Sequence, residues 1–183
     1  GSDDGLIHIT KDHGKTWYNI TPENMPKDTR VSIIDESKHN PGTAYVAAKR
    51  YQMDDRKPYI WKTNDYGESW EFIVDGIRSD DFIHVVREDI TTPGLLFAGG
   101  EHGAWVSFDD GKNWKSLGLN MPDTQISDLI VTDKDVVVGT HGRSIYILDD
   151  ISPLREMVKI DFDEHYLFEP YYAARRVQFG EIK

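Results

Sequence analysis

Hydrophobic and polar positions alternate along most of this chain with a period of two. Leu6, Ile7 and Ile9, then Tyr59, Ile60 and Trp61, then Ala104, Trp105 and Val106 each lead into a polar, turn-forming cluster. Aromatic and β-branched residues in that alternation predict strands. Two further strands are predicted in each interval. They are Val31 to Ile34 and Thr43 to Ala48, Phe82 to Val86 and Leu95 to Gly99, and Ile126 to Thr132 and Val136 to Gly139. No stretch shows a convincing helical period.

The clusters repeat. Thr10-Lys11-Asp12-His13-Gly14-Lys15-Thr16-Trp17, Thr63-Asn64-Asp65-Tyr66-Gly67-Glu68-Ser69-Trp70 and Ser107-Phe108-Asp109-Asp110-Gly111-Lys112-Asn113-Trp114 share the form S/T-x-D-x-G-x-x-W. Their aspartates lie 53 and 44 residues apart. The D-x-G centre is turn chemistry, with Gly at positive φ and the Asp and Ser/Thr side chains bonding turn backbone. The Trp opens the following strand and can pack under the turn. An eroded fourth copy runs from Ile145 to Asp150, with Ile151 and Leu154 at the Gly and Trp positions. Asn24-Met25-Pro26 and Asn120-Met121-Pro122, each ahead of a similar strand, support the period. Four strands every 40 to 53 residues match the blade of a β-propeller.

These turns resemble the Asp-box of bacterial neuraminidase repeat (BNR) proteins. The stretch Val138 to Leu154, with Thr140-His141-Gly142-Arg143 at its head, is similar to the last blade of bacterial sortilin-like proteins described as glycosyl hydrolases. The resemblance covers residues 1 to about 155 and implies an all-β partial propeller of about three four-stranded antiparallel blades. It divides the chain into a propeller part, 1–158, and an exit segment or linker, 159–183. It also implies a structural role for Thr10, Asp12, Gly14, Trp17, Thr63, Asp65, Gly67, Trp70, Ser107, Asp109, Gly111 and Trp114. Export to the periplasm or outside is implied too, although no signal peptide opens the chain. Half a blade, two blades and most of another are too few to close a ring. The expected partners are therefore the remaining blades of a longer chain or a second copy.

Composition narrows the chemistry. The chain has 183 residues, a formal charge of −11 and no cysteine. The acidic balance argues against nucleic acid and anionic membranes, and no apolar run is long enough for a membrane span. Disulfides, thiolate metal sites and cysteine nucleophiles are excluded. Five Trp, nine Tyr and seven Phe separate the chain from disordered sequences.

Function is expected on the loops opposite the repeated turns. The ligand-face candidates are Arg50, Tyr51, Arg56, His102, His141 and Arg143. Glycosidase chemistry needs two carboxyl groups at a set separation, one with a raised pKa. The available carboxyls are Asp54, Asp55, Asp80, Asp81 and Glu101, and solvated loop acids are the commoner reading of such residues. The arginine-bearing signature of sialidases is not present. No metal site is assigned. His102 and His141 read as loop hydrogen-bonders, and Ca²⁺ is the one ion the acidic pairs leave open. The resulting reading is a non-catalytic scaffold binding a protein, peptide or glycan. The alternative is part of a xyloglucanase- or sialidase-like glycoside hydrolase.

Overall fold

The computed structural model describes residues 1–118, 120–160 and 165–169. Of the exit segment 159–183, the residues 161–164 and 170–183, including Tyr171 and Tyr172, lie outside the described residues.

Strands β1 (His8–Ile9) and β2 (Tyr18–Asn19) form a two-stranded hairpin. The second sheet holds β3 (Arg30–Glu36), β4 (Ala44–Arg50), β5 (Asp55–Thr63) and β6 (Glu71–Phe72) in chain order. The third repeats that meander with β7 (Ile83–Glu88), β8 (Leu96–Gly100), β9 (Ala104–Ser107) and β10 (Lys115–Ser116). The fourth has three strands, β11 (Ile126–Val131), β12 (Val136–Thr140) and β13 (Ile145–Leu148). Every pairing is antiparallel. The sheets follow one another as blades in an open arc. The core is correspondingly split into layers between sheets. Tyr45, Ile60, Ile73, Ile83, Leu96 and Trp114 fill one layer, and Phe97, Val106, Ile126, Leu129 and Ile151 fill the next.

The repeated turn explains how blades stack. Asp65 accepts the backbone N–H of Ser69 at 2.8 Å and the Thr63 hydroxyl at 2.8 Å, while Gly67 N–H donates to that hydroxyl oxygen at 2.9 Å. The same bonds recur at Asp12 and Asp109. These bonds favour the carboxylate: the Ser69 hydroxyl first, then its N–H, bring Asp65 down to about 2. Gly67 and Gly111 sit at φ near +88° and +87°, and a Cβ there would meet Ile20 and Ile73 of the preceding sheet at 2.4 and 2.5 Å. The turn Trp then bonds across the same interface. Trp70 Nε1–H donates to the Ile20 carbonyl at 2.7 Å and Trp114 Nε1–H to the Ile73 carbonyl at 2.9 Å.

Trp17 differs from the other two turn tryptophans: it is 59% exposed and donates to Gly14 of its own turn at 3.2 Å. The described residues put no sheet in front of it. The last unit, expected as most of a blade, has three strands, and the helix that follows it was not anticipated. Ile151, at the Gly position, is buried and its N–H donates to Lys134 C=O at 2.8 Å. The chain then turns into the short helix α1 (Ser152–Met157), whose second residue, Pro153, has φ preset for a first turn. Among the described residues no helix is long and apolar enough to cross a membrane.

Candidate functional site

The innermost strands β3, β7 and β11 each carry a register shift at the same place, between Val31 and Ile33, Ile83 and Val85, and Ile126 and Asp128. The extra residues are Ser32, His84 and Ser127. A further shift lies between β4 and β5, where Arg56, Lys57 and Pro58 of β5 stand opposite Lys49 alone, while Lys49 keeps its pairing with Arg30 of β3. A bulge breaks the in–out alternation and re-aims a side chain. Here one of the three inner-strand bulge residues, His84, meets Lys49 of the neighbouring sheet.

Lys49 Nζ lies 2.9 Å from His84 Nδ1, and His84 Nε2 lies 3.3 Å from Glu101 Oε2. An ammonium can only donate, so Nδ1 is the acceptor and the Nε2–H donates to Glu101. The imidazole is therefore neutral. Burial first, then the Lys49 charge, push the His84 pKa down against the opposing pull of Glu101. Burial and Arg30 likewise weaken the Lys49 ammonium. Phe82 flanks the imidazole at 5.1 Å and stacks on Tyr51 at 5.0 Å. The Lys49 ammonium lies 5.8 Å from the centre of the Tyr51 ring. Together with Arg56 and Gln125 these side chains line a cavity of about 270 Å³. Its walls come from three successive sheets.

Of the ligand-face candidates, Tyr51 and Arg56 are in this cavity, together with Glu101 from the candidate carboxyls. Arg50 is instead paired with Asp55 at 2.8 Å and donates to Lys27 C=O at 3.0 Å. His102 faces Asp123 at 3.0 Å. His141 and Arg143 are exposed on the β12–β13 loop, where the His141 N–H donates to Gln125 C=O at 2.9 Å.

Three of the acids proposed for acid/base work are held by structural partners. Asp55 also accepts from Tyr59 OH at 2.8 Å, and although burial pushes its pKa up, the Tyr59 and Arg50 bonds bring it lower. Asp80 is forked to Arg78 with two 2.7 Å bonds. Asp81 is fully buried and its pKa is raised by that burial. It accepts from Trp105 Nε1–H at 2.7 Å and the His102 backbone N–H at 2.9 Å, which anchors the β8–β9 loop. Asp54 is exposed in a left-handed conformation at the end of the 3-10 turn Tyr51–Met53. Among the described residues no three His, Asp or Glu side chains gather as a metal site.

Lys49, Phe82, His84 and Gln125 were not singled out from the sequence. His84 lies inside the apolar run Phe82-Ile83-His84-Val85-Val86 and reads as part of a buried strand. Aligning Val31-Ser32-Ile33, Ile83-His84-Val85 and Ile126-Ser127-Asp128 puts one polar residue at a fixed place in each inner strand, which is the signal that marks it.

The neutral, buried state of His84 has a measurable consequence. A histidine whose folded pKa lies below its unfolded value, about 6.5, contributes stability that is complete above that value and lost as pH falls beneath it. Chemical denaturation at pH 8.0 and 5.5 is expected to show a drop in stability for the wild type and a smaller one for His84→Gln. Equal drops would contradict the neutral assignment.

A complex of YCF48 with a D1 peptide is similar over 81% of this chain and 46% of its own, with 16% identity and a TM-score of 0.60. The GH74 xyloglucanase from Xanthomonas campestris is similar over 81% of this chain and 24% of its own, at 16% identity and a TM-score of 0.61. YCF48 from Cyanidioschyzon merolae matches over 81% and 47%, at 18% identity and a TM-score of 0.55. The fold is a partial β-propeller. Likeness at these identities extends to the fold alone, and the chain spans between about a quarter and a half of these proteins. No protein-family model matches the sequence, and no curated protein does.

Proposed function

We propose that this chain is part of a non-catalytic, sortilin-like BNR propeller that binds a peptide segment of a protein partner on the face opposite the repeated Asp-box turns. The carrying observation is the cavity in which Lys49, Tyr51, Arg56, Phe82, His84, Glu101 and Gln125 converge from three sheets. Stacked aromatics provide apolar area with little side-chain freedom to lose. Lys49 and Arg56 supply donors, and Glu101 an acceptor. The propeller of YCF48 has been seen with a peptide bound, which agrees with this use of the fold. Export of the parent protein and its completion by further blades belong to the same reading.

The glycoside-hydrolase alternative is supported by the likeness to a xyloglucanase. It has less support from the residues, because Asp55, Asp80 and Asp81 are tied to Arg50, Tyr59, Arg78 and Trp105.

Selection from a displayed random peptide library is the test, with a glycan array and a xyloglucan-oligosaccharide hydrolysis assay run in parallel. Selected peptides are expected to bind the wild type and to lose about tenfold or more in affinity with Tyr51→Ala or Lys49→Glu, the loss of one well-buried contact. Peptides that bind both variants as well as the wild type would contradict the site. Hydrolysis of the oligosaccharides would contradict the non-catalytic reading.

A further inference from the structure

The first hairpin and the second sheet enclose a groove of about 660 Å³ lined by Ile7, Ile9, Ile20, Ile34, Ala44 and Trp70 among others. The internal repeat shows what belongs there. In the second and third sheets the strands corresponding to β1, which are β5 and β9, pair along their inner edges with β4 and β8. In the first sheet β1 pairs only with β2.

The opposite wall of the groove carries the same message at matched positions. Ile34, Val86 and Leu129 occupy one place in β3, β7 and β11. Val86 is 0% exposed and Leu129 1%, each covered by the inner strands of the preceding sheet, whereas Ile34 is 40% exposed. Ala44, Leu96 and Val136 make a second matched set, and here too the members in sheets three and four are fully buried while Ala44 is only half-buried. The open edge of β1 and the uncovered face of β3 and β4 therefore bound one space, which in the next two intervals holds a two-stranded inner hairpin.

We infer that this groove is a docking site for an antiparallel β-hairpin of the same repeat type, which pairs with β1 and lays an apolar face on Ile34 and Ala44. Backbone pairing along the open edge supplies affinity, and alternate side chains entering the groove supply register. The register follows from the third sheet, where Ala98 stands opposite Trp105 and Phe97 opposite Val106. Trp105 and Val106 correspond to His8 and Ile9. The occupant's counterparts of Ala98 and Phe97 therefore face His8 and Ile9.

The test is a copy of residues 79–103 joined ahead of Gly1 by a flexible linker, so that high effective concentration favours docking. Amide exchange at Ile7–Ile9 and at Ile34 is expected to slow by about tenfold or more, as for paired strands. Because the chain has no cysteine, His8→Cys combined with a cysteine at the added hairpin's position 98 should form a disulfide under mild oxidation. A cysteine at its position 96 should not. Unchanged exchange together with absent or register-blind disulfides would overturn the inference. So would a dimer by light scattering in the unfused chain with Ile7–Ile9 already protected, since a second copy would then be the occupant.

Discussion

Trp114→Ala is expected to destabilise the protein by about 3–5 kcal/mol, whereas Trp17→Ala, in the same place of the same motif, should cost under about 0.5 kcal/mol. The motif is identical in both, so the contrast isolates what the preceding sheet contributes. Trp114 is 3% exposed, packs with Ile73, Ile77 and Val74, and loses a buried hydrogen bond to Ile73 C=O when removed. Trp17 is 59% exposed and bonds only within its own turn. Trp70, which donates to Ile20 C=O and is half-buried, should fall between them. Urea denaturation of the three variants checks the order. Equal losses would mean that the turn itself, and not the stacking of blades, sets the energy.

The second large effect is expected at the end of the arc. Asp89 is fully buried after β7 and receives Arg155 of α1 through bonds of 2.8 to 3.2 Å. It also accepts the backbone N–H groups of Thr91 and Thr92 at 2.9 and 2.6 Å. Arg155 further donates to Thr132 C=O at 2.9 Å and to Asp133 C=O. One guanidinium thus ties the helix to two sheets. Arg155→Leu removes it and leaves a buried carboxylate without its counter-ion, a loss on the order of 3–5 kcal/mol. Burial alone would raise the Asp89 pKa, but the Arg155 and Thr91 bonds bring it below the usual value. With the folded pKa lowered, this stability is present above about pH 4 and fades as pH falls through the folded value. The acid-induced loss should therefore shrink in Asp89→Asn, which removes the titrating group. Denaturation curves at pH 7 and pH 3 for wild type and both variants check the assignment.

The parts of the fold that depend on local chemistry were legible in the sequence. Each S/T-x-D-x-G-x-x-W stretch fixes a turn through bonds that span four residues or fewer, so the pattern carries the geometry. The alternation before each turn fixes a strand, and the repeat fixes the order of sheets. The site was less legible because it is made by distant pairs. Asp55, Asp80 and Asp81 read as available carboxylates in a loop. Their occupation by Arg50 and Tyr59, by Arg78, and by Trp105 appears only when the strands are in register. His84 was hidden for a different reason. A strand pattern assigns sides by strict alternation, and a bulge shifts that alternation by one residue without any mark in composition. The helix α1 was missed because its six residues are too few to show a period.

The face that binds can be read directly by a hydrogen-exchange footprint of the chain with and without a library-selected peptide. The account predicts slowed exchange in residues 49–56, 82–84, 101 and 125, with residues 12–16, 65–69 and 109–113 unchanged. Protection of the three repeated turns, with the cavity around Lys49 and His84 exchanging as in the free protein, would contradict it.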